Sequence, residues 1–161
     1  ADDEPLYPGK CSARSDAGDF ASPAGVNWRF RVKDGEAAKF SDGTLGPQEF
    51  VAGRDLGDFV IWRRDDVPAY QLAVVVDDAH QAITEVVRGA DLLKSTARQI
   101  LLSRALALPV PDYYHCDLVR DESGARLAKR CDALSIRHLR DSGWSAGEVI
   151  EKAIRYGKES T

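Results

Sequence analysis

Residues 68–99, PAYQLAVVVDDAHQAITEVVRGADLLKSTARQ, restrict the fold more than any other stretch of the chain. They open on the densest apolar run, residues 72–76. A second apolar pair, Val86 and Val87, runs straight into Arg88-Gly89-Ala90-Asp91, and a long amphipathic segment follows. Buried element, short connection, buried strand, sharp turn and helix, in that order, predict an α/β fold. In such folds ligands sit at the carboxyl end of a strand, in the turn that follows it. Arg88 and Asp91 fall at that turn, so the active or binding site is expected there. Arginine is a permanent charge with a planar fork that matches a carboxylate. The sequence leaves two plainer readings open. Arg88 would serve equally as the structural partner of Asp91 or Asp78, and Tyr70 as a core residue.

The rest of the chain sets bounds. Its 161 residues are enough for one domain with a real core. No apolar run approaches the length of a membrane span, so no membrane partner is expected. The first ten residues, ADDEPLYPGK, are polar and acidic and do not read as a signal peptide. There is no methionine, not even at position one, so a processed chain or a fragment is expected. A net charge of -4 argues against nonspecific nucleic-acid binding, although a local basic patch is sufficient for tRNA. Cys11, Cys116 and Cys131 are odd in number and far apart. They imply no disulfide framework and fit a reducing cytoplasm.

Taken in order, residues 1–26 read as loop. Trp28, Phe30 and Val32 alternate with Arg29, Arg31 and Lys33, the period of a half-buried strand. Lys33-Asp34-Gly35-Glu36 predicts a hairpin whose return strand is residues 37–40, and Asp42-Gly43 predicts a further turn. Residues 57–64 read as a strand entering the core. Propensity makes residues 72–76 a strand as well, and residues 83–88 a buried parallel strand. Residues 95–107 form a helix, with Ile100, Leu101, Ala105 and Leu108 on its apolar side, Arg98 and Arg104 on its polar side, and Pro109 and Pro111 ending it. Residues 113–120 are a strand. Residues 134–140 are a short helix stopped at Gly143. Residues 145–156 are a second helix, with a capping box between Ser145 and Glu148.

The ordered set Ala69-Tyr70-Gln71-Leu72-Ala73, Val74-Val75-Val76-Asp77-Asp78-Ala79, Thr84-Glu85-Val86-Val87-Arg88-Gly89-Ala90-Asp91-Leu92-Leu93 and Ser95-Thr96-Ala97-Arg98-Gln99 resembles the catalytic domain of class I glutamyl-type aminoacyl-tRNA synthetases. Within that family it most resembles the glutamyl-Q tRNA(Asp) synthetases, small paralogues that attach glutamate to the queuosine base of a tRNA. The resemblance implies an α/β fold, the second half of a Rossmann-like nucleotide-binding fold with a small β-rich insertion and C-terminal helices. It divides the chain into 1–56 (a remnant of an inserted, acceptor-binding subdomain), 57–131 (the catalytic half with a signature loop) and 132–161 (helical). It also makes residues 72–76 part of a helix that starts near Tyr70 and has Asp77 and Asp78 near its end, against their propensity.

The family's chemistry is adenylate formation followed by transfer, so the resemblance implies L-glutamate, ATP with Mg, and tRNA(Asp) bearing queuosine as partners. Tyr70 and Arg88 match positions that contact glutamate. Arg126-Leu127-Ala128-Lys129-Arg130 sits where the family carries its second signature, with Lys129 as the phosphate-charge stabiliser; Arg126 stands for a lysine there and Ala128 for a serine. Read without the resemblance, this basic pentamer is a solvated patch. With Arg120, Arg137 and Arg140 it forms the main basic concentration of the chain. His115 matches a histidine near the nucleotide site. Tyr7 and Cys11 match half of the family's zinc site, and two ligands are too few for tight binding.

No first signature motif occurs in the sequence. The expectation is therefore the C-terminal part of a glutamate-activating enzyme, inactive alone and with an exposed apolar sheet edge. A fragment of an ordinary glutamyl-tRNA synthetase and a stand-alone amino-acid- or tRNA-binding module are the alternatives. Oligomeric state is left open.

Overall fold

The structure, a computed structural model, describes residues 6–10, 24–118 and 135–159. Residues up to Cys116 form one compact unit and those from Asp117 onward a second.

The described residues of the first unit hold six strands and two α-helices, with a short 3-10 turn at Ala90–Leu92. They run β1 (Trp28–Phe30), β2 (Ala37–Asp42), β3 (Gly46–Val51), β4 (Phe59–Trp62), α1 (Tyr70–His80), β5 (Glu85–Gly89), α2 (Leu93–Ala105) and β6 (Asp112–Cys116). β1 and β4 pair antiparallel as a small ribbon. The other four strands make one sheet in the order β3-β2-β6-β5. β2 and β3 are an antiparallel hairpin, while β6 runs parallel to both β2 and β5. The parallel β5–α2–β6 unit is the crossover expected of an α/β fold.

Residues 72–76 lie in helix α1, as the family pattern implies and against their β propensity. Burial follows a helical period: residues 71–75 are half-buried to buried, 76 and 77 exposed, and 78 and 79 half-buried again. Both helices end in the same way. Beyond α1, Ile83 N donates to Asp78 O at 2.9 Å and Ala82 N to Ala79 O at 3.2 Å. Beyond α2, Leu108 N donates to Ser103 O at 2.8 Å and Ala107 N to Arg104 O at 3.2 Å. These are Schellman caps, and each places an alanine in the left-handed region, Ala82 at φ 54° and Ala107 at φ 53°. α2 therefore stops at Ala105, before the prolines that were expected to end it.

Four expectations are corrected. The hairpin is not β1 with β2. Lys33–Glu36 is a turn, closed by Glu36 N donating to Lys33 O at 2.9 Å, but β1 leaves to pair with β4. The true hairpin turns at Asp42-Gly43 and joins β2 to β3. β5 is not fully buried: it is an edge strand of the sheet among the described residues, and Val87 is 61% exposed. Arg98 is not on a polar side, because α2 is buried continuously from Ser95 to Ser103 and Arg98 lies over the Phe59 ring at 5.7 Å. Finally, β6 ends at Cys116, short of residue 120.

The core gathers where α2 meets the hairpin and the ribbon. Val32, Ala38, Ala52, Leu56, Phe59, Val75, Ala97, Leu101 and Leu102 are its buried members. Phe30 and Phe59 lie 5.4 Å apart, centroid to centroid.

The second unit contains α3 (Ile136–Asp141) and α4 (Ala146–Glu159). Ser135 caps α3, and Gly143, at φ 86°, follows its end. The capping box at α4 is formed: Ser145 N donates to Glu148 Oε2 at 2.8 Å, and Glu148 N to Ser145 Oγ at 3.3 Å. No helix of the described residues is long and apolar enough to cross a membrane.

Candidate active site

Arg88 and His115 face each other across the β5–β6 pair, one residue before the carboxyl end of each strand. This is the sheet edge at which α/β folds bind ligands. Arg88 points back over the sheet and is held there by three side chains. Its Nη2 donates to Thr96 Oγ1 at 2.5 Å and to Gln99 Oε1 at 2.8 Å, and its Nε donates to His115 Nε2 at 3.3 Å. Its guanidinium carbon is 5.3 Å from the centre of the Tyr113 ring.

The network continues both ways. Toward α1, Gln99 Nε2 donates to Gln71 Oε1 at 2.9 Å, and Gln71 Nε2 donates to Ser95 Oγ at 3.1 Å. Toward β2, His115 Nδ1 lies 2.5 Å from Asp42 Oδ2, both side chains fully buried. Asp42 Oδ1 accepts three backbone N–H groups, from Leu45 at 2.9 Å, Thr44 at 3.0 Å and His115 at 3.2 Å. One carboxylate thus closes the hairpin turn, takes a backbone donor of β6 and fixes a histidine. The turn needs Gly43 beside it, since a Cβ there would overlap the Tyr114 ring.

Burial alone would raise the Asp42 carboxyl. The His115 side chain and the backbone donors outweigh it and hold the group down from 3.8 to about 2. A depressed carboxylate contributes stability that is complete above its unfolded value and is lost as pH falls through its folded one. Asp42 is therefore expected to contribute about 2 kcal/mol at neutral pH, draining away between roughly pH 4 and pH 2. Urea unfolding across that range checks this. Asp42→Asn should lose most of the acid-side slope, and a slope equal to that of the wild type would assign the effect to other carboxylates.

Tyr113 is pushed up to about 12, by burial first and then by Asp78 and Tyr70, with Arg88 opposing. Its hydroxyl stays neutral beneath the guanidinium. Tyr70, at the first turn of α1, is 54% exposed and so is not the core residue that the plainer reading made it. The structure thus links His115 directly to Arg88, while Tyr70 neighbours the network only in sequence, one residue before Gln71.

The other expected site residues are elsewhere or undescribed. Arg126, Leu127, Ala128, Lys129 and Arg130 lie outside the described residues, as do Cys11 and Arg120. Tyr7 carries the Arg29 guanidinium 4.1 Å from its ring centre. Among the described residues no group of three or more His, Cys, Asp or Glu side chains is placed to hold a metal ion. Arg137 and Arg140 are exposed on α3, with Arg140 paired to Asp141 at 3.2 Å.

Sequence reasoning gave no role to Asp42, Gln71, Thr96 or Gln99. One signal was present. Ser95, Gln99 and Ser103 recur every fourth residue, a polar stripe along a helix that is otherwise core. A buried polar stripe must meet polar partners.

Residues 14–160 match the family model for tRNA synthetases class I (E and Q), catalytic domain. A glutamyl-Q tRNA(Asp) synthetase of Janthinobacterium sp. (strain Marseille) is 42% identical over 160 residues, covering 96% of this chain and 53% of that protein. A second one, from Symbiobacterium thermophilum, is 47% identical over 152 residues, covering 91% of this chain and 46% of that protein. Glutamate–tRNA ligase 2 of Nitrosococcus oceani is 42% identical over 156 residues, covering 95% and 33%. The chain spans about half the length of the first two. Among solved structures, a glutamate tRNA ligase from Elizabethkingia meningosepticum in complex with its amino acid superposes with a TM-score of 0.58 at 30% identity, covering 63% of this chain and 20% of that one.

Proposed function

The chain belongs to the family of class I tRNA synthetases for glutamate and glutamine, and from that membership we propose that it supplies the amino-acid side of an enzyme that activates glutamate with ATP and transfers it to the queuosine base of tRNA(Asp). Its α/β unit has the fold of that family's catalytic domain. The observation that carries the reading is Arg88. A guanidinium is locked at the carboxyl end of β5 by Thr96, Gln99 and His115, and it lies on the network that Gln71 ties to the start of α1, next to the exposed Tyr70. A fixed fork at a sheet edge is suited to a substrate carboxylate, and holding it still in advance reduces what binding must order.

In this reading the substrate's carboxylate attacks the α-phosphate of ATP, pyrophosphate leaves, and the resulting adenylate passes its glutamyl group to the tRNA. Magnesium bound with ATP would supply positive charge against the phosphates. The chain's own part is to bind and orient glutamate through Tyr70 and Arg88 and to bring the loop of Arg126, Leu127, Ala128, Lys129 and Arg130 to the phosphates. Residues 1–56 belong to the inserted, acceptor-side part, 57–131 to the catalytic half and 132–161 to the helical end. β2 and β3 nevertheless share a sheet with β5 and β6.

The names of the Janthinobacterium and Symbiobacterium relatives favour the queuosine acceptor. The Nitrosococcus ligase, 42% identical like the Janthinobacterium protein, supports a second reading in which the acceptor is tRNA(Glu). Glutamate-dependent ATP–pyrophosphate exchange tests activation, and charging of tRNA(Asp) bearing queuosine against tRNA(Glu) separates the acceptors. The 161-residue chain alone is expected to show no exchange, whereas a protein carrying the whole catalytic domain shows it and loses turnover on Lys129→Ala while keeping its KM for glutamate. Exchange that survives Lys129→Ala intact would remove the loop from the mechanism.

A further inference from the structure

We propose that Asp42 and His115 are positioning residues for Arg88: Asp42 fixes which ring nitrogen of His115 carries the proton, so that the other one accepts from Arg88 and aims its fork. This rests on the reading of Arg88 as the glutamate-binding arginine, but its geometric core is independent of it.

The argument is one of donors and acceptors. Arg88 is a donor through every nitrogen. Its Nε faces His115 Nε2 at 3.3 Å, so Nε2 must accept. Thr96 Oγ1, 2.9 Å from the same nitrogen, accepts from Arg88 Nη2 and donates its own proton to Leu92 O at 3.3 Å. If Nε2 accepts, the ring proton sits on Nδ1, and Nδ1 lies 2.5 Å from the Asp42 carboxylate, an obligate acceptor when ionised. Each bond in the chain from Asp42 to His115 to Arg88 therefore has one consistent direction. Asp42 itself cannot rotate, because its Oδ1 is held by the backbone N–H groups of Leu45, Thr44 and His115.

That anchoring makes one substitution diagnostic. In Asp42→Asn the three backbone donors keep the amide oxygen where Oδ1 stands. The amide nitrogen is then forced into the place of Oδ2, where it donates to His115 Nδ1. The ring proton must move to Nε2, and Nε2–H then opposes Arg88 Nε–H, donor against donor. The fold keeps its hairpin bonds and Arg88 loses its aim. The same logic makes an Asp-to-Asn change costly in a catalytic triad, where the wrong tautomer is installed in intact geometry.

Nitrogen-15 NMR of the imidazole in this chain reads the tautomer directly. The wild type is expected to carry its proton on Nδ1, and Asp42→Asn on Nε2 with faster hydrogen exchange at Arg88 Nε. A merely structural aspartate would move neither signal. In the protein with the whole catalytic domain, Asp42→Asn should raise KM for glutamate about 10- to 100-fold, with KM for ATP unchanged and kcat little altered. A proton on Nε2 in the wild type would overturn the proposal outright, whether or not the variant folds. So would a variant with the swapped tautomer and an unmoved Arg88. If Arg88→Ala leaves glutamate kinetics untouched, the glutamate reading of the site fails, while the tautomer measurement still decides the Asp42–His115–Arg88 geometry.

Discussion

Arg88→Ala in the protein with the whole catalytic domain is expected to lower kcat/KM for glutamate activation by about 2–4 kcal/mol, roughly 30- to 1,000-fold. Two losses combine. The substrate carboxylate loses a charge-assisted partner. The pocket also loses the donor that satisfies Thr96, Gln99 and His115 together, so their positions loosen. Arg88→Lys should recover little, because one ammonium on a flexible stem cannot bond to three side chains and a ligand at once. Steady-state pyrophosphate exchange at varied glutamate checks this, with circular dichroism to confirm that the variant is folded. Unchanged kinetic constants in a folded Arg88→Ala protein would reduce Arg88 to a structural role.

Leu101→Ala is expected to destabilise the chain by about 2–5 kcal/mol, a large share of a typical domain's total. Leu101 is 2% exposed, near the middle of α2, the helix that packs on α1, β2 and β3. It belongs to the cluster that includes Leu56, Phe59 and Val75. Truncation leaves a cavity bordered by three elements that cannot all move inward. The same helix carries Thr96 and Gln99, so the site should loosen with the core. Urea denaturation measures the loss, and a change below about 1 kcal/mol would mean that the helix collapses freely onto its neighbours.

What was legible in the sequence was what depends on neighbours in the chain. The capping box at Ser145 and Glu148, the stop at Gly143 and the strand-turn-helix around Arg88 all follow from local residue types. Pairing between distant segments was not legible. β1 alternates correctly and is followed by a good turn, yet its partner is β4, about thirty residues on. Alternation tells which face is buried and not which strand lies alongside. Arg98 misled for a related reason: a charged residue on a helix is normally solvated, and only the tertiary placement of α2 between the ribbon and the sheet buries it. Arg88 stood out by its place at the turn after a strand, while a glutamate-binding role for it and for Tyr70 is what the family resemblance implies. Asp42 was hidden because an Asp-Gly pair is first of all a turn signal, and nothing local shows that its second oxygen reaches a histidine.

The distance in sequence between Asp42 and His115 sets the order in which the molecule can be assembled. They are 73 residues apart, whereas Arg88 and His115 are separated by 27 and the β2–β3 hairpin closes on itself within a few residues. Loop-closure entropy rises with that separation, and contacts between remote segments form late. β2 meets β6 through a single register pair, Asp42 with Tyr113. A chain partway through folding can therefore hold the hairpin as one piece and the β5–α2–β6 unit as another, with nearly all of its hydrogen-bonded backbone in place. In that state Arg88 already meets Thr96, Gln99 and His115, but His115 lacks the carboxylate that fixes its proton. The imidazole gains its carboxylate only when this long-range seam closes, so the His115 tautomer doubles as a clock for the completion of folding.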